Sequence, residues 1–443
     1  MKYVIVAVML GVATAAGGVA QEQPLTLAEV VTHALSTHPS RAQSAALVAR
    51  AEAARREQRS ALLPSLVTEA SLTRFEEPMV VAPLHGFDPR SPPRFDRTLA
   101  QANVSLGYTV WDGGARGARL ERAALQVAAA RAAEEAATES LIAESVRRYA
   151  ALQTARELAA ASAAAVQALA AERTRAARLL EQGRVARVAL LRAEAALSGA
   201  RAEQASADAQ LEVAERDVAR LTGLPQSAVH GRPLERVAVR ATAPERDAAI
   251  RQAQSANAEV RRLRAQLAAT TAGEAEARAQ WWPRLQLGGR YIRYGSGEGD
   301  AGGEWQGGVQ LSYALFTAGA RPAAQDRARA ESRAAAAELA QAELRAAEAV
   351  DRAHALLTSA RARTEALAAA AEQSAEVARI EKLALDTGAG VQTDYLSAEA
   401  ALLRARAALT EARLAEVLAW IELARASGVL TPTWVEQNVE PTS

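Results

Sequence analysis

Apolar and polar residues alternate one by one in two stretches of the chain. Val104, Leu106 and Tyr108 alternate with small or polar residues in the first stretch, and Val309 and Leu311 do so in the second. A period of two gives a β-strand one apolar and one polar face. Together with a proline-led segment before each stretch, the pattern predicts strands at about 64–74, 98–112, 284–294 and 305–317.

The rest of the chain has helical periodicity and is rich in alanine. Helices of about 68 residues are predicted at roughly 114–181 and 319–386, and each would be ~100 Å long at 1.5 Å per residue. Apolar residues recur at seven-residue steps in the helix that follows each of them, a spacing typical of coiled-coil seams. The residues at these steps are Leu190, Leu197, Leu211 and Val218 in the first helix and Tyr395, Leu402, Leu409 and Leu423 in the second.

The two patterns occur twice because the chain is duplicated. Tyr108 to Arg116 reappears as Tyr313 to Arg321 at an offset of 205 (313 − 108), and the segment around Pro64 reappears around Pro283 at an offset of 219 (283 − 64). We therefore divide the mature chain into a first repeat (21–224), a proline-containing linker (225–243), a second repeat (244–430) and a C-terminal tail (431–443).

The N-terminal segment and the composition indicate where the protein is located. Lys2, an apolar run and the small residues Gly18 to Ala20 predict a signal peptide over residues 1–20. The chain has no cysteine, so we expect neither a lipid anchor on cysteine nor a disulfide. The net charge of +1, with acidic and basic residues interleaved, gives no indication of nucleic-acid binding.

The predicted strands need partners from other chains if they lie in lipid. Strands of about ten residues suit a tilted outer-membrane barrel, but four strands cannot close, and unpaired strand edges are not tolerated in a bilayer. Three copies would give twelve strands around a water-filled lumen. The predicted fold is thus mainly α-helical, internally duplicated, with long helical hairpins forming a periplasmic α-barrel and four strands per protomer contributing to a trimeric transmembrane β-barrel.

The signal peptide, the duplicated helix–strand–strand–helix plan, the junction Trp111-Asp112-Gly113-Gly114 and the glycine-bearing tips before Ala-Glu-Ala-Ala-Leu resemble the TolC-like outer-membrane efflux proteins. The resemblance implies a homotrimer in outer-membrane lipid that extends into the periplasm. It also implies a periplasmic adaptor (membrane fusion) protein and an inner-membrane transporter, driven by protons or ATP, as partners. The function implied is that of a passive exit duct in tripartite efflux or type I secretion.

The same resemblance assigns roles to six residues. It places Gly183, Val185, Gly388 and Val391 at the helical tips that face the adaptor. It also places Asp394 at a constriction of the pore, and Ser397 stands one turn later, where the family often has a second acidic residue. An Asp394 favoured only by the positive end of its helix is the simpler interpretation of the same residue.

No catalytic, cofactor or metal site is predicted. The five histidines are scattered, and neither a His-Glu-x-x-His motif nor a cysteine nucleophile occurs in the sequence. Two structural alternatives to a duct stay open, a trimeric coiled-coil adhesin and a periplasmic adaptor without a pore. Adhesins usually keep their strands at one terminus, whereas strand pairs are predicted here inside both halves of the chain. Adaptors have one helical hairpin per chain, whereas two are predicted here. The sequence does not indicate which substrate is exported.

Overall fold

The computed structural model describes residues 23–83, 89, 90 and 92–442. The predicted signal peptide, residues 1–20, lies outside the described residues. The helices are α1 (Leu27–Thr37), α2 (Pro39–Ser60), α3 (Ala115–Glu181), α4 (Arg187–Thr222), α5 (Arg246–Ala256), α6 (Ala258–Ala279), α7 (Ala320–Thr387), α8 (Gln392–Ala426) and α9 (Pro432–Asn438). The strands are β1 (Ser65–Val80), β2 (Phe95–Trp111), β3 (Arg236–Val239), β4 (Arg284–Ser296), β5 (Gly299–Ser312) and β6 (Val439–Thr442).

The order α1–α2–β1–β2–α3–α4 recurs as α5–α6–β4–β5–α7–α8. Corresponding helices agree in length to within one residue: α1 and α5 have 11 residues, α2 and α6 have 22, α3 and α7 have 67 and 68, and α4 and α8 have 36 and 35. The division into two repeats with a linker and a tail remains our prediction.

Local chemistry explains where the shorter helices break. His38 is extended because the residue before a proline avoids the helical region, and Pro39 then starts α2 at a position where its missing N–H costs nothing. In the second repeat Asn257 ends α5 and caps α6, its side chain accepting hydrogen bonds from the amides of Glu259 and Val260. The two helices of each pair therefore follow one another as separate segments.

The long helices pack through small residues. Ala328, Ala335 and Ala342 lie seven residues apart on α7, and each is buried. Leu197 of α4 and Leu402 of α8, both on the predicted heptad seams, are buried as well. Helix α3 packs on α4 and α6, and α7 packs on α8 and α6. The seams thus combine many alanines, which let helix axes approach closely, with occasional leucines.

The four long strands form one antiparallel sheet in the order β1-β2-β4-β5. Several predicted strand limits differ from the structure. The first two strands were predicted at 64–74 and 98–112, but β1 continues to Val80 and β2 begins at Phe95, because these two residues still pair with each other. The fourth strand was predicted at 305–317, but β5 ends at Ser312, because β4 begins at Arg284, directly after Pro283, and Ser312 pairs with this first residue. At the other end β4 and β5 continue past the predicted limits of 294 and 305 through a glycine-rich stretch, and they leave a two-residue turn at Gly297 and Glu298.

The linker and the tail meet beside the helices. Strand β3 from the linker pairs antiparallel with β6 from the tail, and Leu25 forms a parallel bridge with Leu234. The largest apolar cluster lies here and includes the fully buried Tyr149 of α3. The Tyr149 hydroxyl lies 2.8 Å from the carbonyl oxygen of Leu25 and 2.6 Å from that of Glu235. One buried side chain thus holds the linker and the start of the described chain against α3.

Candidate functional site

The sheet has one apolar and one polar face. Residues directly opposite in an antiparallel pair share a face, so the register assigns every strand residue to one side. One face carries apolar side chains that are 37–80% exposed: Leu66, Leu72, Val104, Leu106, Tyr108, Leu287, Tyr291, Trp305, Val309 and Leu311. The opposite face carries Glu69, Ser71, Gln101, Asn103, Arg290 and Gln306. An exposed apolar face this continuous needs a nonpolar environment.

The polar face is partly covered at the end of the sheet far from the helices. Leu99, Ile292 and Tyr294 lie on this face and are buried against Val81, which is only 2% exposed. The chain that leaves β1 therefore folds over the polar side of the sheet. The Tyr294 hydroxyl lies 3.1 Å from a carboxylate oxygen of Glu304 in this region.

Aromatic rings and arginines surround the junctions between strands and helices. The guanidinium of Arg321 lies 4.8 Å from the ring centre of Tyr313 and 5.6 Å from that of Trp281, and it donates to the Ala314 carbonyl at 2.6 Å. The rings of Trp111 and Trp282 meet edge to face with centres 5.8 Å apart. Such amphipathic side chains are typical of the level where a membrane meets water.

The first predicted tip is a tight turn between α3 and α4. Gly183 has φ +67°, a left-handed conformation that favours glycine, and a β-carbon there would contact no other atom. Its amide donates to the Leu180 carbonyl, and the amide of Arg184 donates to the Leu179 carbonyl at 2.8 Å, the Schellman pattern of a helix end. Val185 follows and is half-buried.

The second predicted tip repeats this geometry between α7 and α8. Gly388 has φ +80°, and the amides of Ala389 and Gly390 both donate to the Ala384 carbonyl at 2.9 Å. A β-carbon on Gly390 would lie 2.9 Å from the Ala384 β-carbon, so this position requires glycine for close approach rather than for its φ. Val391 is 57% exposed. Both tips therefore present a backbone turn and a valine.

The two residues predicted at the constriction lie on the first turns of α8. Asp394 is exposed, and its amide donates to the Val391 carbonyl at 3.1 Å. Ser397 is exposed three residues later, which places both side chains on the same side of the helix. The buried Tyr395 lies between them in sequence, and burial, followed by the carboxylates of Glu399, Glu172 and Asp386, raises its pKa to about 12. Asp394 and Ser397 thus face away from the packed side of α8.

A link between the two helical hairpins, which the sequence pattern does not predict, lies close to the tips. The Glu172 carboxylate of α3 is 6% exposed and accepts a hydrogen bond from the side-chain amide of Gln392 on α8 at 2.7 Å. Arg175, one turn along α3, donates to the Leu385 carbonyl of α7 at 2.8 Å. These contacts join residues 210 and 220 positions apart, and neither carries a local sequence signal.

Metal sites and membrane-spanning helices are both absent from the described part of the chain. In the described residues, no group of three or more histidine, cysteine, aspartate or glutamate side chains is arranged to hold a metal ion. Within those residues the helices also lack any segment both long and apolar enough to cross a membrane.

Comparison with known proteins gives one family and one fold. The sequence profile described as outer membrane efflux protein matches residues 30–224 and 249–429. The fold is similar to the outer membrane protein VceC of Vibrio cholerae, with a TM-score of 0.76 and 18% identity over 91% of this chain and 96% of that chain. It is also similar to the outer membrane channel CmeC of Campylobacter jejuni, with a TM-score of 0.77 and 17% identity over 97% and 94%.

A membrane protein from Pseudomonas aeruginosa has the same fold, with a TM-score of 0.77 and 21% identity over 91% of this chain and 93% of that chain. None of the curated proteins compared matches this chain in sequence.

Proposed function

Because the chain belongs to the outer membrane efflux protein family, we propose that it forms the passive exit duct of a tripartite efflux or type I secretion system. The resemblance to TolC-like proteins and the location in the outer membrane are confirmed by the family and the fold. Its assembly into an oligomer, its partner proteins and its conduction of substrates are what we propose beyond this.

The two-faced sheet is the observation that carries the proposal. Its exposed apolar face suits lipid, its polar face suits a wet lumen, and the two outer strands each leave one edge to be paired. Unpaired backbone groups in hydrocarbon cost several kcal/mol each, so the sheet needs sister copies to close. Three copies close a barrel of twelve strands, and the helical hairpins continue it into the periplasm. An adhesin or an adaptor without a pore has no use for a polar inner face.

The helical tips suit contact with a periplasmic adaptor, which in turn joins an inner-membrane transporter. Gly183 and Gly388 make compact turns at the hairpin ends, and Val185 and Val391 offer small apolar contacts. Three copies of Asp394 around one axis form a ring of carboxylates that favours cations and repels anions. Ser397 sits one turn deeper and adds no charge, so the constriction depends on a single acidic ring.

Assembly and conduction can be tested on the full-length protein. Extracted from outer membranes, it is expected to run as an SDS-resistant trimer that falls to a monomer on boiling, and to conduct ions across a planar lipid bilayer. A water-soluble monomer without conductance would refute the duct.

Adaptor contact is tested with a matched pair of exposed valines. Val391→Asp at the tip is expected to weaken binding of a purified periplasmic adaptor from the same cell at least about tenfold, as burial of an unpaired charge requires. Val377→Asp, on the shaft of α7 and 50% exposed, is the control. Equal binding by both variants would remove the tip from the interface.

A further inference from the structure

The two β-hairpins obey the sequence repeat residue by residue. Ser65 of β1 pairs with Gly107 of β2. Their counterparts in the second repeat, Arg284 (65 + 219) and Ser312 (107 + 205), pair with each other as well. The same holds along the regular part of both hairpins, so the offsets of 219 and 205 convert any pairing in one repeat into the corresponding pairing of the other.

One set of pairings in the sheet has no counterpart within the chain. Strand β2 of the first repeat pairs with β4 of the second. The corresponding contact would join β5 to β1, yet these are the two outer strands of the sheet, and two whole strands separate them. At 4.7–4.9 Å between neighbouring strands, they lie ~14 Å apart within one chain. The missing counterpart can therefore form only between two copies.

We propose that β5 of one copy pairs antiparallel with β1 of the next copy in the register that β2 and β4 use within the chain. The inference rests on the proposed function for its oligomer, but the register comes from the repeat alone. Val104 pairs with Tyr291 within the chain, so Val309 pairs with Leu72 of the partner subunit. Leu106 pairs with Gly289, so Leu311 pairs with Ala70 of the partner subunit.

The faces of the strands support this register independently of the repeat. Val309 and Leu311 lie on the apolar face of β5, and Leu72 and Ala70 lie on the apolar face of β1. A slip of one residue would place each apolar side chain of β5 opposite a polar side chain of the lumen face. The proposed pairing keeps the apolar band continuous across the joint between copies. Leu72 and Val309 are 75% and 66% exposed and would both become partly covered.

An aromatic contact at the junction between strands and helices also has no counterpart within the chain. Trp111 packs edge to face on Trp282 within the chain. Their counterparts are Phe316 and Leu63, and these side chains are 87% and 66% exposed. The proposed register brings Phe316 onto Leu63 of the partner subunit, where each covers the other.

An ion pair between two helices near the sheet likewise predicts a contact between copies. Arg122 of α3 and Glu276 of α6 are joined at 3.0 Å. Their counterparts keep both charges, Arg327 on α7 and Glu57 on α2, and both are exposed. Among the described residues, Arg327 forms its ion pair with the exposed Glu331 of the same helix, at a loose 3.7 Å. Helix α7 of one copy thus meets α2 of the next with opposite charges in place.

Disulfide crosslinking tests the register directly, because the chain has no cysteine of its own. Two on-register double variants carry cysteine at Val309 and Leu72 or at Leu311 and Ala70. Two off-register variants exchange the partners, Val309 with Ala70 and Leu311 with Leu72, so that each position serves once in each class. Opposed residues lie within disulfide reach at ~4.5–5.5 Å between α-carbons, whereas a shift of two residues separates them by ~8 Å.

In outer membranes under a mild oxidant, the on-register variants are expected to form covalent dimers and higher species at least about ten times faster than the off-register variants. Faster crosslinking of an off-register pair, or equal rates in all four, overturns the register. Bilayer conductance of the same preparations separates the two levels of the proposal. A conducting oligomer without on-register crosslinks refutes the register alone, and a non-conducting monomer refutes the proposed function with it.

Charge reversal gives a second measurement that does not depend on thiols. Arg327→Glu alone and Glu57→Arg alone are each expected to lower the temperature at which the oligomer dissociates in SDS, and the double reversal is expected to recover most of the loss. Losses that simply add in the double variant would refute contact between these two helices.

Discussion

Glu139 is an acid in an environment that disfavours its charge, and replacing it should stabilise the protein at neutral pH. Its side chain on α3 lines a cavity of about 520 Å³ between α3, α6, α7 and α8. The pKa of Glu139 is raised to about 7, chiefly by burial and also by the carboxylate of Glu135, although the charges of Arg261 and Arg425 lower it. Arg261 is already hydrogen-bonded to Glu135, so less of its charge is free to favour ionised Glu139.

The sign and size of the effect follow from the two pKa values. The folded state holds the proton up to about pH 7, while the unfolded chain releases it near 4.5. Stability therefore falls as the pH rises from about 4.5 to about 7 and does not recover above it. The gap corresponds to at most ~3.4 kcal/mol, and solvent near a partly exposed carboxyl reduces this to about 1–2 kcal/mol. Glu139→Gln removes the titration and keeps the shape of the side chain.

Thermal unfolding of the helices, followed by circular dichroism in detergent, measures this difference. Wild type is expected to melt at a lower temperature at pH 8 than at pH 5, and Glu139→Gln is expected to gain roughly 1–4 °C on wild type at pH 8 and little at pH 5. Glu121→Gln, an exposed site on the same helix, serves as control. A loss of stability in Glu139→Gln that is equal at both pH values would refute the reasoning, since it would mean that the arginines keep Glu139 ionised and paired.

Three further predictions concern the junction, the constriction and the tips. Gly113→Ala adds a β-carbon 2.8 Å from backbone and side-chain atoms at φ +69°, so it should destabilise the proposed trimer by about 2–4 kcal/mol, more than Gly114→Ala, where no atom lies within 4 Å; equal heat sensitivity of the two variants on SDS gels would contradict this. Asp394→Ala should raise single-channel conductance or weaken cation block in a planar bilayer, and unchanged currents would remove the role in the constriction. Arg175→Ala should at least double the rate of amide hydrogen exchange around Leu385, because it deletes the 2.8 Å link to that carbonyl, and unaltered exchange would show that the link does not hold the tip.

The repeat explains why much of the fold could be predicted from the sequence. Prolines at 64 and 283 mark where helices give way to strands, alternation marks the strands, and two copies of each signal support one another. The predicted strands stop at 294 and 305, short of the glycine-rich end of β4 and β5, because glycine carries no side chain from which alternation could be read. Pairing with the neighbouring strand, which supplies hydrogen bonds whatever the side chain, decides the structure there.

The parts of the site that the sequence did not predict depend on contacts between distant segments. The link from Glu172 to Gln392 exists only because α3 packs against α8, and the raised pKa of Glu139 exists only because α6 and α8 cover it. Neither residue differs in local pattern from the many other glutamates on these helices. Such features require the packing to be known, whereas the glycine tips follow from local backbone geometry.

The linker and the tail, which lie outside the repeats, contain the two short strands β3 and β6. A duplicated chain needs one connection between its copies, and here that connection, through β3, pairs with β6 after the second copy. Their four-residue strands are too short to show a period. They pack against the apolar cluster around Tyr149 of α3, where the linker and both ends of the described chain meet the helices. Tyr149 lies near the middle of α3, 34 residues after Ala115 and 32 before Glu181. The cluster therefore holds the hairpins at mid-length and leaves the tips to be held by contacts such as that of Arg175.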